Sequence, residues 1–238
     1  MVDLELDDGL AVITIDRPHA RNAISLETMD QFDKALDGAE GATALVITGA
    51  GDRAFVSGGD LKELSALRTE NEAGSMAWRM RSICDRIASF TGPTVAALNG
   101  HALGGGAEVA VATDIRLAAD DIKIGFNQVS LEIMPAWGGA ERLVELVGFS
   151  KALLLAGTGT ILDAHDAKSS GLVDQVFPRD TFDTDWRRIA RALANRPAGE
   201  IKRVMRGVPT SEAVAAFARL WVSDEHWAAA DKVMKRGK

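Results

Sequence analysis

The run of residues 98–108, LNGHALGGGAE, constrains this chain more than any other segment, because three consecutive glycines separate a β-rich stretch from an apolar, helix-forming one. Glycines let a ligand approach the backbone closely. A helix that begins there adds unpaired N–H groups and the positive end of its dipole. Such a turn can hold an anion, or a carbonyl oxygen that becomes negative during a reaction. Glu108 would then be a titratable group beside this site. The alternative is a tight strand-to-helix connection that carries a surface carboxylate.

A second segment repeats the pattern. Residues 54–63, AFVSGGDLKE, pass from a short strand through Gly58 and Gly59 to a helix that Asp60 can cap. Two such turns in one domain could each give one N–H to the same oxygen, at a distance of ~3 Å from both donors. The two turns together therefore predict a site for a single oxygen atom.

Strands alternate with helices up to residue 178, which predicts a largely parallel βα core. Beyond Pro178 the pattern is helical throughout, and this part of the chain is too small to form a hydrophobic core of its own. We expect residues 1–178 to form the core, and residues 179–238 to form a helical region that packs on the core or on a neighbouring subunit. Trp221 and Trp227 suit burial at such a contact.

The composition is that of an ordinary globular protein, with 238 residues, 47% hydrophobic and 26% charged. A net charge of -7 argues against a nucleic-acid partner. No apolar run is long enough to cross a bilayer, and the first residues lack a signal-peptide pattern. The only cysteine, Cys84, excludes an intramolecular disulfide. The four histidines have no metal-ligand spacing. We therefore expect a cytoplasmic protein without a membrane or metal partner.

Further motifs accompany the two turns. They are RP at 17–18 with RNAI at 21–24, SGGDL at 57–61, NGHALGGGAE at 99–108, TDIR at 113–116, PAWGG at 135–139 and GLV at 171–173. With them the chain resembles the crotonase superfamily, the enoyl-CoA hydratase/isomerase family. The resemblance implies an α/β fold, a spiral of ββα turns with a helical C-terminal region. It also implies a lyase or isomerase of fatty acid metabolism, acyl-CoA substrates without a prosthetic group, and a homotrimer or a hexamer of two trimers.

The resemblance also implies roles for individual residues. It assigns the two oxyanion-hole N–H groups to Gly59 and Gly105, and one catalytic glutamate to Glu108. The residues that it places against coenzyme A are Arg21, Ala23, Ser57, Gly59 and Lys62. For Arg21 and Lys62, a solvated surface charge is the alternative interpretation.

Two positions depart from the hydratase pattern. The second catalytic glutamate of the hydratases falls on Gln128, which can orient water but is a very poor proton donor. Glu132, four residues later, stands where hydratases have a small residue, and it either replaces the missing carboxylate or is a structural side chain. Addition of water by two carboxylates is therefore in question.

Two further side chains are candidates for the substrate pocket. Trp137 also replaces a small residue, which should narrow the acyl pocket, unless the ring is ordinary core packing. The PAWGG segment is similar to that of the alkylmalonyl-CoA decarboxylase branch, which has a lone glutamate at the position of Glu108. His101 adjoins the glycine turn, and its side chain either lines the pocket or packs against the rest of the protein.

The main expectation is an enzyme that stabilises a thioester enolate, as enoyl-CoA hydratases and isomerases do. The alternatives are a decarboxylase of small alkylmalonyl-CoA thioesters and a non-catalytic acyl-CoA binder.

Overall fold

Two β-sheets carry the fold in the computed structural model, which describes residues 1–236. The larger sheet has six strands, in the order β1 (Val2–Asp7), β2 (Leu10–Ile15), β3 (Ala44–Gly49), β5 (Thr94–Leu98), β7 (Ile115–Ala119) and β10 (Gln175–Phe177). The smaller has four, in the order β4 (Ala54–Val56), β6 (His101–Leu103), β8 (Lys123–Gly125) and β9 (Ile161–Asp163). Among the strands described, β1 with β2 and β8 with β9 are the antiparallel pairs.

Eleven helices connect and flank these strands within residues 1–236. They are α1 (Leu26–Gly38), α2 (Leu61–Leu64), α3 (Glu70–Ser89), α4 (Gly105–Val111), α5 (Gly139–Val147), α6 (Phe149–Thr158), α7 (Ala164–Ser170), α8 (Phe182–Ala194), α9 (Ala198–Met205), α10 (Thr210–Trp221) and α11 (Asp224–Arg236). Two short 3₁₀ helices span Pro18–Ala20 and Asn127–Leu131. None of the helices described is both long and apolar enough to cross a membrane.

The spiral arises because successive turns of the chain give one strand to each sheet. β3 leads to β4, β5 to β6, and β7 to β8, and a helix or 3₁₀ helix follows each pair. Every residue of β3 and β5 is buried, as expected for parallel strands that are covered on both faces. Helix α8 covers part of the larger sheet with the buried side chains of Phe182, Trp186 and Ala190.

The last helices differ in how they are attached. Lys202 on α9 donates from Nζ to the carbonyls of Phe90 and Gly92, both at 2.7 Å, and pairs with Asp114. Helices α10 and α11 contact each other, and many of their apolar side chains are exposed: Val214, Phe217, Trp221, Trp227, Val233 and Met234. The division at residue 178 stays a prediction, and residues 237 and 238 of the helical region lie outside the described residues.

Candidate active site

The carboxyl ends of three neighbouring parallel strands meet at one edge of the smaller sheet. β4 pairs with β6, and β6 pairs with β8. Residues 57–59 follow β4, Gly104 and Gly105 follow β6, and the 3₁₀ helix Asn127–Leu131 follows β8. A β-carbon built on Gly58 would lie 3.5 Å from the amide nitrogen of Gly105. Both predicted glycine turns and Gln128 therefore lie close together.

The N–H of Gly59 is unpaired because of how its neighbours bond. The N–H of Ile24 donates to the carbonyl of Gly58, and the N–H of Asp60 donates to the carbonyl of Ile24, both at 2.8 Å. In extended backbone, alternate amides point to opposite sides, so the N–H of Gly59 points away from Ile24. It finds no acceptor within residues 1–236.

The N–H of Gly105 is unpaired because Gly105 is the first residue of α4, where amides have no intrahelical acceptor. Gly104 makes the sharp turn before it, with a φ of 55° that favours glycine, and donates its own N–H to the carbonyl of Gly125 at 2.9 Å. No acceptor for Gly105 is present in the part of the chain that the structure describes.

Glu108 lies on α4 and is only 2% exposed. Its Oε2 accepts hydrogen bonds from the backbone N–H groups of Trp137 (2.7 Å) and Gly139 (3.0 Å), and its Oε1 accepts one from Nε2 of Gln128 (2.9 Å). Burial raises the pKa of Glu108 above its ordinary value, and these three hydrogen bonds oppose the rise. A carboxyl with a raised pKa is suited to both accepting and returning a proton near neutral pH.

Gln128 is 7% exposed and has one unsatisfied atom. Its Nε2 is bonded to Glu108, while its Oε1 is buried and has no hydrogen-bond partner within residues 1–236. A buried amide oxygen without a donor costs about 1–3 kcal/mol of stability. The unsatisfied oxygen therefore marks a place where a water or a ligand hydroxyl would be bound favourably.

The indole of Trp137 packs against both glycine turns. A β-carbon on Gly105 would lie 2.1 Å from Cζ3 of the ring, and one on Gly59 would lie 3.9 Å from Cζ2. Trp137 is 6% exposed and belongs to the hydrophobic core. The ring is thus packed in the core and also borders both glycine turns, so the two interpretations of Trp137 do not exclude each other.

Glu132 is the other candidate carboxylate. It ends the 3₁₀ helix Asn127–Leu131 in the left-handed region, with a φ of 56°, and its side chain is exposed. Its carboxylate makes no hydrogen bond or ion pair with another described residue, and none of the three donors to Glu108 comes from it. The geometry thus gives no support to Glu132 as a replacement for the missing carboxylate.

The residues predicted to contact coenzyme A lie on two adjoining segments. The N–H of Ser57 donates to the carbonyl of Arg21 at 3.2 Å, and Ala23, with its carbonyl bonded by Arg17, lies beside them. Lys62 is exposed on the short helix α2. The structure brings these segments together at the Gly59 turn.

His101 begins β6, at the end of that strand opposite the Gly104–Gly105 turn. There it lines a cavity of about 510 Å³ with Asp52, Asp121 and the arginines Arg21, Arg53 and Arg179. The structure therefore groups His101 with Arg21 rather than with Trp137.

Among residues 1–236, no cluster of three His, Cys, Asp or Glu side chains has a geometry for a metal ion.

The sequence interpretation missed the backbone donors that hold Glu108. It considered Trp137 only for its ring, whereas the N–H groups of Trp137 and Gly139 bind the carboxylate. The signal was available, since the two glycines at 138 and 139 stand at the start of a helix-forming segment and helix N-termini bind anions. A β-carbon on Gly139 would lie 2.4 Å from Cγ of Glu108, so only glycine fits there.

Comparisons with known proteins identify the family and the fold. A family model described as Enoyl-CoA hydratase/isomerase matches residues 5–218. A protein of Mycobacterium tuberculosis named probable enoyl-CoA hydratase is 34% identical over 208 residues, covering 86% of this chain and 79% of that protein. The short-chain-enoyl-CoA hydratase of Clostridium acetobutylicum is 34% identical over 200 residues, covering 82% and 76%. The crystal structure of an enoyl-CoA hydratase from Bacillus anthracis superimposes with a TM-score of 0.88 at 26% identity, covering 99% and 96%.

The chain therefore belongs to the enoyl-CoA hydratase/isomerase family. The predicted crotonase fold and superfamily are confirmed, and so is the expectation of a crotonase-type acyl-CoA enzyme at the level of the family. None of these three relatives is named a decarboxylase, so that alternative gains no support from them. The non-catalytic binder gains none either.

Proposed function

We propose that this protein is an enoyl-CoA hydratase that adds water to a short 2-enoyl-CoA with Glu108 as its only acid–base group. The observation that carries this proposal is one buried carboxylate with a raised pKa next to two glycine N–H groups that have no acceptor within residues 1–236. Family membership supplies the substrate class, because coenzyme A thioesters are what the named relatives act on.

In the proposed mechanism, the thioester oxygen accepts hydrogen bonds from the N–H groups of Gly59 and Gly105. Glu108 takes a proton from water while the water oxygen bonds to the β-carbon, and the electron pair of the double bond moves toward the thioester oxygen. The two amides stabilise that enolate charge, and losing one such donor typically costs ~3 kcal/mol of barrier. Protonated Glu108 then returns the proton to the α-carbon, which leaves the enzyme unchanged and one water added.

Gln128 and Trp137 have supporting roles in this proposal. Gln128 has no proton to give at neutral pH, so we assign it the orientation of the attacking water, whose second hydrogen its unsatisfied Oε1 would accept. The Trp137 ring takes up space beside both amides and restricts the acyl group to a short chain. Glu132 has no part in the reaction.

Coenzyme A and a neighbouring subunit complete the proposal. Arg21 and Lys62 would contact the phosphates, and the backbone at Ala23, Ser57 and Gly59 would contact the adenine. A homotrimer or hexamer would cover the exposed apolar side chains of α10 and α11, which a monomer leaves in water. No prosthetic group is needed, and the cytoplasmic location expected from the sequence belongs to the same proposal.

The test incubates the purified protein separately with crotonyl-CoA and with ethylmalonyl-CoA and follows the products by mass. We expect crotonyl-CoA to gain one water, and Glu108→Gln to lose about 10²–10⁴ in rate while still binding the thioester. The variant should fold, because its new amide can donate to Oε1 of Gln128 after rotation of the Gln128 amide. Carbon dioxide from ethylmalonyl-CoA without hydration would overturn the proposal, and so would binding without turnover.

A further inference from the structure

Both hydrogen bonds to Oε2 of Glu108 come from one short turn. The N–H groups of Trp137 and Gly139 donate to the same oxygen, and Gly138 lies between them with a φ of 88°. The position of the carboxylate, and the ease with which it ionises, therefore depend on how firmly this turn is held. The turn leads into α5, with Gly138 as the N-cap and Gly139 as the first helical residue, and glycines restrain the backbone least.

Arg142 holds this turn in place. Its Nη1 donates to the carbonyl of Trp137 at 3.3 Å, in the peptide unit between the two donor amides. Its backbone N–H donates to the carbonyl of Gly138 at 3.4 Å, and a β-carbon on Gly138 would lie 2.3 Å from Nη1. The Arg142 side chain is 15% exposed, so its guanidinium packs against the turn rather than extending into solvent.

The other end of the guanidinium is anchored on a rigid helix. Nη2 of Arg142 pairs with Asp85 on α3, and α3 is fixed in the core by Ile83, Cys84 and Ile87. A planar guanidinium can bridge a carbonyl and a carboxylate in this way, whereas an ammonium group acts as a point charge. Arg142 thus links the Glu108-binding turn to the core.

Within residues 1–236, the charged and titratable groups near Glu108 and the turn that binds it come from two helices. They are Arg142 and Glu141 on α5, and Arg81, Cys84 and Asp85 on α3, with Arg81 paired to Glu141 at 2.7 Å. Burial raises the pKa of the Cys84 thiol to about 12, so this group stays neutral at working pH. Gln128, the remaining neighbour, does not titrate.

We propose that Arg142 is a positioning residue for the reaction: it acts through the Trp137–Gly139 turn and keeps both amides directed at Oε2 of Glu108. This inference rests on the proposed role of Glu108. Arg142 touches neither the substrate nor the carboxylate in this account. Its loss should loosen two hydrogen bonds that favour the ionised form of Glu108.

The test compares Arg142→Met with Arg86→Met in the assembled, full-length protein. Arg86 lies on the same helix as Asp85 and pairs with Asp33 and Asp37 on α1, so its loss also removes interhelical ion pairs but none near the turn. For Arg142→Met we expect the acid limb of the kcat/KM profile to move up by about one pH unit. We also expect kcat to fall about tenfold with KM nearly unchanged. Arg86→Met should shift neither.

Two more variants sharpen the outcome. Arg142→Lys should recover only part of the activity, because an ammonium cannot bridge Trp137 and Asp85 as the guanidinium does. Asp85→Asn keeps the Arg142 side chain and should shift the acid limb in the same direction by less, so it serves as the test if Arg142→Met does not fold. The inference would be overturned if the acid limb and kcat of these variants stayed unchanged while their melting temperatures fell as in Arg86→Met. Activity retained in Glu108→Gln would instead overturn the proposed function.

Discussion

Replacing Gly105 with alanine should damage catalysis more than stability. The new β-carbon would lie 2.1 Å from Cζ3 and 2.5 Å from Cη2 of Trp137, so the indole or the turn must move. Overpacking of this kind typically costs 1–3 kcal/mol, so we expect Gly105→Ala to lower the free energy of unfolding by about 2 kcal/mol. Misplacing one of the two donors should raise the barrier by ~3 kcal/mol, which is about a hundredfold in kcat.

The assay is kcat for hydration of crotonyl-CoA, with the free energy of unfolding from denaturant titration. Gly74→Ala on α3 is the matched control, because a β-carbon there meets nothing within 4 Å. It should gain roughly 0.5–1 kcal/mol in unfolding free energy and keep its kcat. In a Trp137→Ala background, the stability cost of Gly105→Ala should shrink, since the clashing ring is gone. A wild-type kcat for Gly105→Ala would refute the argument.

Three further outcomes are expected. Glu132→Gly should raise the free energy of unfolding by about 1 kcal/mol, because glycine adopts the left-handed conformation at this position without steric strain. It should keep kcat, because the side chain that is lost is exposed. A large loss of kcat would show that Glu132 acts in the reaction. Burial raises the pKa of Glu108 above its ordinary 4.5. As pH rises from 4.5 through the raised pKa, ionisation of Glu108 should therefore destabilise the fold. In denaturation measured against pH, Glu108→Gln should therefore gain stability relative to the wild type as pH rises. Trp137→Ala should improve kcat/KM for longer 2-enoyl-CoA chains relative to crotonyl-CoA, and an unchanged chain-length preference would contradict the assigned wall.

The sequence was sufficient to predict the glycine turns, because their chemistry is local. A strand, glycines and a helix start within ten residues predict unpaired N–H groups at the helix start, as found for Gly105. For Gly59 the direction of the N–H also depends on the bonds that Gly58 and Asp60 make with Ile24. The start of α1 has the same local character: its N-cap is Ser25, a residue type that favours this position, and the Ser25 hydroxyl accepts from the N–H of Thr28. The family motifs then supplied Glu108.

What the sequence could not supply depends on contacts between distant segments. β6 and β9 have three residues each, too few for a periodic pattern, and they become strands only because neighbouring strands pair with them. The hydrogen bonds from residues 137 and 139 to Glu108 span about thirty positions of sequence. Glu132 ends its 3₁₀ helix in the left-handed region, a conformation that its residue type does not favour and that the sequence therefore could not predict.

The carbonyl vibration of a bound substrate tests the central claim most directly. Crotonyl-CoA is labelled with ¹³C at the thioester carbonyl carbon, so that a difference infrared spectrum isolates the stretching band of this carbonyl. The protein is the Glu108→Gln variant, which should bind the substrate without appreciable turnover. If the Gly59 and Gly105 amides both donate to the oxygen, the band should lie at lower wavenumber than in water, and Gly105→Ala in the same background should reverse part of the shift. A band at its aqueous position would contradict the account.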